Sequence, residues 1–140
     1  MAPSVFDRIF VILATTAVSA GAAAGFWVLG SPGQQRLIMG DQQRLEDLSA
    51  IASILYWNSQ DQEDYVLPDN LDPNDQRQDP ITQEPYQYSK IDDSRYQLCA
   101  DFATDSNTHK LPQAPNQGWQ HPQGLHCFDL ELTQPPPSLY

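Results

Sequence analysis

The sequence predicts an α+β protein, in which an N-terminal transmembrane helix continues into an amphipathic helix packed on a small antiparallel sheet. Three observations predict this fold. An uncharged apolar run lies near the N-terminus, a stretch with helical periodicity follows it, and two short alternating segments near the C-terminus each contain one cysteine. With 140 residues, the chain has room for one small domain beyond the apolar run.

The charge of the chain is strongly negative and unevenly distributed. There are 18 acidic residues against 7 lysines and arginines, giving a formal net charge of -11, and residues 9–35 carry no charge at all. Nucleic-acid binding needs basic side chains that displace counterions from phosphates. The composition therefore excludes nucleic acid as a partner, and it also disfavours electrostatic docking to anionic lipid.

The apolar run over residues 9–29 is predicted to be a transmembrane signal anchor, with residues 1–8 on the cytoplasmic side. At about 1.5 Å rise per residue, this run spans the roughly 30 Å hydrocarbon core. The alternative is a cleaved signal peptide, since Arg8 precedes the run and small residues at 22–24 fit a cleavage rule. The run continues well past the length of a signal-peptide core, which favours an uncleaved anchor.

Two glycines inside the apolar run form a GxxxG motif. Gly21 and Gly25 lie among alanines and a serine, so that this helix face has no bulky side chains and lets another helix approach closely. We expect the lipid bilayer and a second membrane protein as partners of this helix, and self-association is an alternative. An alanine-rich anchor also produces this spacing by chance.

Residues 31–57 are predicted to form the amphipathic helix. Ser31 is a good N-cap and Pro32 suits the first helical position. Apolar residues recur at helical spacing along one side. They are Ile38, Leu45, Leu48, Ile51, Ala52 and Leu55.

Three charged residues of this helix are predicted to lie on its surface. Asp41, Arg44 and Asp47 are spaced for i,i+3 pairing, which is typical of a solvated ladder worth tenths of a kcal/mol.

Residues 58–85 are predicted to be an acidic, proline-rich loop without periodic apolar pattern. Hard oxygen ligands lie close together here, so calcium is the one cofactor that the sequence raises. The candidate ligands are Asp69, Asp72, Asn74, Asp75 and Asp79. They lack the order of an EF-hand loop.

The antiparallel sheet is predicted within residues 86–132. A strand at 86–90 is joined by turn residues at 92–94 to a strand at 96–102, and a further strand covers 126–132. On a period of two, the apolar side chains of each strand share one face, and Cys99 and Cys127 fall on the opposite face. If the two strands are antiparallel neighbours, these cysteines form a disulfide worth about 3–4 kcal/mol. A disulfide implies an oxidising compartment outside the cytosol.

The remaining stretches carry weaker patterns. Residues 104–124 are irregular, and His109, His121 and His126 lie in or beside them, but their spacing matches no metal-ligand motif. His126 is expected to point inward. Residues 133–140 form a proline-rich tail that is predicted to be polyproline-like and frayed, with a partner ligand as the alternative.

Several short motifs resemble a known architecture. They are Arg44-x-x-Asp47-Leu48-x-x-Ile51, then Leu67-Pro68, then Asp79-Pro80-x-Thr82-x-x-Pro85-Tyr86-x-Tyr88. Together with the anchor, helix, loop and sheet, they resemble type IV pilins and type II secretion pseudopilins. The resemblance implies a pilin-like fold. The later stretch, with Trp119-x-His121-x-x-Gly124-x-x-Cys127-Phe128, is similar to uncharacterised bacterial single-pass membrane proteins.

The departure from the pilin pattern lies at the N-terminus. Pilins have a processing site with a glutamate before their apolar helix, whereas this chain has Ser4-Val5-Phe6-Asp7-Arg8 there and no glutamate within the run. The prepilin processing motif is therefore absent. The resemblance implies a shared architecture more strongly than a shared activity.

These observations predict a non-enzymatic, membrane-tethered extracytoplasmic binding or accessory subunit of a membrane or envelope protein complex. The resemblance to bacterial proteins implies the inner membrane, with a single span and the C-terminal domain in the periplasm. One alternative is a pilin-like structural component of a secretion or filament system. Another is an exported metal-binding domain or enzyme, for which the sequence has no nucleophile-elbow or zinc-protease motif and no predicted catalytic residue.

Overall fold

A computed structural model describes residues 5–29, 31–62, 64–108 and 117–139 of the chain. The chain divides into two compact units, residues 1–36 (unit 1) and residues 37–140 (unit 2). Unit 1 contains helix α1 and the first residues of helix α2, and unit 2 contains the rest of α2 and the sheet.

Helix α1 spans Val5–Leu29 and so begins ahead of the predicted apolar run. Its Val5–Gly25 stretch of 21 residues is long and apolar enough to cross a membrane, and the apolar side chains of this stretch are not buried within the protein. The hydroxyls of Thr15 and Thr16 donate to carbonyls one turn earlier, at 2.8 Å each. These hydroxyls are therefore satisfied within the helix and need no water.

Helix α2 spans Pro32–Asp61. Ser31 is its N-cap, because the Ser31 hydroxyl accepts a hydrogen bond from the Gln34 N–H at 3.3 Å. The helix ends beyond the predicted residue 57, since neither glycine nor proline follows Trp57 until Pro68. Its buried apolar stripe consists of Leu45, Leu48, Ile51, Ala52 and Leu55.

The sheet has three antiparallel strands in the order β1-β2-β3. Their bounds are Gln87–Lys90 for β1, Arg95–Phe102 for β2 and Gly124–Glu131 for β3. The predicted hairpin between β1 and β2 is confirmed. Its turn is fixed by the Asp92 carboxylate, which accepts the N–H groups of Ser94 and Arg95 at 2.9 and 2.8 Å.

One face of the sheet and the stripe of α2 share a single hydrophobic core. The β2 residues that were predicted to share this face are all buried, with exposures of 5% or less, and Trp119 and Phe128 pack edge to face beside them. Those β2 residues are Tyr96, Leu98, Ala100 and Phe102. The α+β class predicted from the sequence is thus the fold that unit 2 adopts.

The opposite face of the sheet carries the disulfide. Cys99 lies directly across from Cys127 in the register of β2 and β3, and the two side chains are bonded. The disulfide predicted from the two strand patterns is present in the structure.

The proline-rich tail is packed against unit 2, so the prediction that it frays is wrong for its described part. The Trp119 indole N–H donates to the Pro137 carbonyl at 2.7 Å, and Leu139 packs against the core. Gly118 permits this approach, because a Cβ there would lie 2.5 Å from Pro137 Cγ. The tail is held because it satisfies a buried indole donor.

Candidate functional site

The most concentrated chemistry in unit 2 is a set of buried charged residues on α2. Asp41, Arg44 and Asp47 were predicted to be a solvated ladder, yet their exposures are 3%, 4% and 6%. The prediction is wrong because these residues follow the helical spacing of the apolar stripe, which places them on the same side as Leu48 and Ile51. That spacing is the signal that the sequence offered.

Arg44 is the centre of this set. Its Nε and Nη2 donate to both carboxylate oxygens of Asp79, with Nη2 at 3.1 Å, and its Nη1 donates to Asp41 at 2.7 Å. Burial alone lowers the pKa of Arg44, but the hydrogen bonds and charges of the two carboxylates outweigh it and raise the pKa. Arg44 is therefore held as a cation between two anions.

Asp79 comes from the loop before β1, and it was predicted as a calcium ligand. Besides the two Arg44 bonds, its Oδ1 accepts the N–H groups of Ile81 and Thr82 at 2.8 and 3.0 Å. Burial opposes its ionisation, but the hydrogen bonds from Arg44, Thr82 and Ile81 are stronger in sum and lower the pKa of Asp79. Asp79 thus closes its own turn and docks that turn on α2.

Asp41 ties α2 to the end of β2. Its two carboxylate oxygens accept the backbone N–H groups of Ala103 at 2.9 Å and Thr104 at 2.8 Å, and the Thr104 hydroxyl donates to it as well. Together with Arg44, these donors occupy both of its oxygens.

Asp47 ties α2 to the approach to β1. It accepts the Tyr86 hydroxyl at 3.0 Å, Arg77 Nη1 at 3.0 Å and Gln43 Nε2 at 3.2 Å. Burial raises the pKa of Tyr86, and the neighbouring Asp47 charge raises it further. The phenol is therefore a fixed hydrogen-bond donor.

These contacts define what the buried set can do chemically. Each carboxylate faces a cation and several N–H or O–H donors, so the set fastens three parts of unit 2 to one helix face. Four of its members, Arg44, Asp47, Asp79 and Tyr86, belong to the short motifs noted in the sequence. We name this set the Arg44 cluster, comprising Asp41, Arg44, Asp47, Arg77, Asp79 and Tyr86.

The acidic loop does not assemble the calcium site that its composition raised. Asp79 is turned to Arg44, and the Asp72 carboxylate accepts the backbone and side-chain N–H groups of Asn74 at 2.8 Å each. Asp69 is exposed and Asp75 is half-buried. Within the described residues, no group of three or more histidine, cysteine, aspartate or glutamate side chains is placed to hold a metal ion.

Two of the three histidines pack against aromatic residues of the core. The His121 ring stacks on Phe102 with centroids 3.7 Å apart, and burial lowers its pKa. His126 meets Phe128 edge to face at 4.8 Å, as expected for an inward-pointing ring. His109 lies outside the described residues.

The glycine pair of α1 presents an open face. A Cβ added at Gly21 or Gly25 would meet nothing within 4 Å. The described part of unit 1 therefore leaves room for a closely packed helix at this position.

The outer face of the sheet is an exposed polar surface with regular structure. It carries the carboxylates of Asp101, Asp129 and Glu131, and at the Leu125 end it borders a cleft of about 320 Å³ that Glu84 also lines. Leu125 is 62% exposed there. This surface combines negative charge with an apolar residue.

Comparison with known proteins identifies no relative. No family model, no curated protein and no solved structure matches the chain.

Proposed function

We propose that this protein is a membrane-tethered, extracytoplasmic binding or accessory subunit of a membrane protein complex. The observation that carries the proposal is helix α1, whose apolar side chains over Val5–Gly25 are exposed while unit 2 buries its own core. Such a helix is satisfied only by lipid or by another apolar surface. In unit 2, the buried charged groups of the Arg44 cluster are engaged with one another, so a partner would meet unit 2 at its exposed surface.

The orientation of the proposal rests on the disulfide. A bond between Cys99 and Cys127 persists in oxidising compartments and is rare in the cytosol. Unit 2 therefore lies outside the cytosol, and the single helix α1 is its tether. In a bacterium, this arrangement corresponds to the inner membrane with unit 2 in the periplasm.

The partner in the membrane is a second helix that packs on Gly21 and Gly25. Both glycines are open to close approach, and small residues four apart allow backbones to meet at short distance.

The tether is tested with the full chain carrying a C-terminal tag. We expect it to remain in the membrane after alkaline carbonate washing, to lose the tag to protease added outside the inner membrane, and to have no thiol that reacts with maleimide before reduction. Free thiols together with a protected tag would overturn the orientation. A soluble product that lacks the residues up to Ala24 would show that the helix is a cleaved signal peptide.

The partner helix is tested by replacing both glycines with leucine. Gly21→Leu with Gly25→Leu is expected to abolish crosslinks from photoreactive groups placed within α1, while leaving the chain in the membrane. The matched control is Ala20→Leu with Ala24→Leu, which adds the same bulk to a neighbouring strip of the helix. If both double variants retain the crosslinks, the partner does not use the glycine face.

A pilin-like structural component is the second candidate. It is favoured by the Arg44 cluster, since four of its six members belong to the motifs that resemble pseudopilins, and the cluster joins the helix to the loop and sheet. N-terminal sequencing of the membrane protein separates the two candidates. Trimming just ahead of residues 5–10 would support a processed, filament-forming protein, and an untrimmed N-terminus would support the accessory subunit.

A further inference from the structure

Strand β3 is at the edge of the sheet, and its hydrogen-bonding register determines which backbone groups face outward. The Leu132 N–H donates to the Ser94 carbonyl at 2.9 Å. The backbone N–H and C=O groups of the even-numbered residues in this stretch therefore point toward β2. The Cα atoms of Cys99 and Cys127 are 4.0 Å apart, which agrees with a pair that exchanges no backbone hydrogen bonds. The odd-numbered residues of β3 therefore point their N–H and C=O groups away from the sheet.

These outward groups form a free pairing edge. The backbone groups of Leu125, Cys127 and Asp129 have no hydrogen bond to another part of the described chain, whereas the Glu131 carbonyl accepts the Gln134 N–H at 3.4 Å. The free edge is thus about five residues long, a length typical of strand pairing between proteins.

The side chains along this edge are acidic on the outer face. Asp129 and Glu131 are exposed, and Asp101 lies across from Leu125 on the neighbouring strand. Within residues 64–108 and 117–139, the Asp129 side chain accepts one hydrogen bond, from the neutral Gln97 amide at 2.6 Å. Its charge is therefore not compensated by that contact.

The cations of unit 2 neutralise this surface only in part. Arg95 lies across from Glu131 and its charge interacts with Glu131 and Asp129, but its ion pair, at 2.6 Å, is with Asp92. In the part of unit 2 that the structure describes, the other basic residues also lie in ion pairs with their own carboxylates. They are Arg44, Arg77 and Lys90.

Edge strands are usually blocked by lysines, prolines or a covering element. Here the tail prolines 135–137 line a small cleft together with Asp129 and Glu131 at one end of the edge, and these two carboxylates lie on its outer face. The carboxylates disfavour pairing with a second copy, because two copies of β3 would bring all their Asp129 and Glu131 charges onto one sheet face. An incoming strand with basic side chains would be attracted by the same charges. The charge of the edge therefore favours a basic strand over a second copy of β3.

We infer that the free edge of β3 binds an extended, basic segment of a partner protein as a fourth strand of the sheet. Alternate lysine or arginine side chains of this segment lie over Asp129 and Glu131 on the outer face. The inference rests on the proposed function and gives the chemical class of the partner that unit 2 binds.

The test uses the full chain in nanodiscs of zwitterionic phosphatidylcholine and a nine-residue peptide that alternates lysine and valine. In NMR hydrogen exchange, we expect the peptide to slow the amides of Leu125, Cys127 and Asp129 by roughly tenfold or more. The amides that already bond to β2 should not change. They are those of Gly124, His126, Phe128 and Leu130.

Two peptide controls separate strand pairing from simple charge attraction. The same peptide with glutamate in place of lysine should bind at least about tenfold more weakly at low salt. A lysine peptide with N-methyl groups on alternate residues, which cannot pair with the edge, should give no alternating protection. Equal protection by the methylated peptide would overturn the inference.

Protein variants test the same point. Asp129→Asn with Glu131→Gln should weaken peptide binding by roughly five- to tenfold, while Glu46→Gln, an exposed carboxylate on α2, should leave it unchanged. Leu125→Pro removes one outward N–H and should reduce protection along the edge. If Leu125→Pro fails to fold, the comparison of Asp129→Asn with Glu131→Gln against Glu46→Gln still tests whether the peptide binds at this edge.

The peptide assay and the tethering assays fail separately. Absence of alternating protection in nanodiscs overturns the strand-addition site and leaves the membrane tether intact. Free thiols and a cytosolic tag in cells overturn the tether while the peptide result stands.

Discussion

Two charged stretches of unit 2 have opposite environments. Residues 41–47 of α2 bury three charged side chains, whereas residues 69–75 of the acidic loop leave Asp69 and Asp72 exposed. The helix stretch is in phase with the apolar stripe and contains a cation. The loop stretch has neither a helical phase nor a basic residue. Position relative to the apolar pattern, rather than the density of charge, therefore decides whether a charged residue is buried.

The largest expected effect comes from removing the cation of the buried stretch. Arg44→Met leaves Asp41 and Asp79 buried without their counter-charge, and we expect a loss of about 3–5 kcal/mol in the free energy of unfolding. Urea unfolding of the full chain in zwitterionic micelles, followed by near-ultraviolet circular dichroism, measures it.

The matched control for this variant is Arg77→Met. The Arg77 side chain is 47% exposed in its pair with Asp47, so its loss should cost only about 1 kcal/mol. If both variants lose the same free energy of unfolding, burial does not make the Arg44–Asp79 pair more stabilising than the Arg77–Asp47 pair.

Asp79→Asn is expected to have the next largest effect, because it removes the negative partner of Arg44 but keeps an oxygen for the Ile81 and Thr82 N–H groups. We expect a loss of about 2 kcal/mol near neutral pH. The same unfolding measurement at pH 7 gives this value.

The pH dependence gives a second readout for Asp79. The pKa of Asp79 is lower in the folded protein than in the unfolded chain. The ionised carboxylate therefore contributes its full stabilisation of the fold above the unfolded-state pKa of about 3.9, and this stabilisation is lost as the pH falls through the folded-state pKa. Asp79→Asn should therefore flatten the decline of stability below about pH 4. The exposed variant Asn74→Ala should keep the original slope, and a wild-type slope in Asp79→Asn would contradict the ion pair.

Tyr86→Phe has a smaller expected effect. It removes the hydroxyl donor of Asp47, which keeps its contacts with Arg77 and Gln43. We expect a loss of about 1–1.5 kcal/mol in thermal or urea unfolding. The control Tyr56→Phe, at a half-buried helix position, should change stability by no more than a few tenths of a kcal/mol. A larger stability loss in Tyr56→Phe than in Tyr86→Phe would contradict the hydrogen bond between Tyr86 and Asp47.

The smallest effect is expected in the acidic loop. Asp72→Asn keeps an oxygen for the Asn74 turn and should change stability by less than about 0.5 kcal/mol. Millimolar calcium should not raise the melting temperature of the wild type. A calcium-dependent increase that Asp72→Asn abolishes would show that the loop gathers its carboxylates around the ion.

Local patterns predicted much of unit 2. The face of β2 that holds Tyr96 and Leu98, the hairpin turn at Asp92 and the pairing of Cys99 with Cys127 all follow from the period of a strand and from turn chemistry. Each of these features depends on residues close in sequence or on the pairing of two adjacent antiparallel strands.

The features that the sequence did not predict depend on the path of the loops. Arg44 and Asp79 are separated by the rest of α2 and a further stretch of irregular chain, and no local rule places the Asp79 turn on the helix. The same holds for the contact between Trp119 and Pro137 and for the stacking of His121 on Phe102. These contacts are tertiary, since they form only when distant segments already lie together.

The charged residues within the apolar stripe of α2 also matter before unit 2 is complete. During synthesis, α2 emerges directly after α1, while the strands that will cover its stripe are still to be made. Asp41, Arg44 and Asp47 would each cost about 2.5–3.5 kcal/mol near the middle of a bilayer. The same side chains that later fasten the fold therefore make α2 a poor membrane span while its stripe is still uncovered.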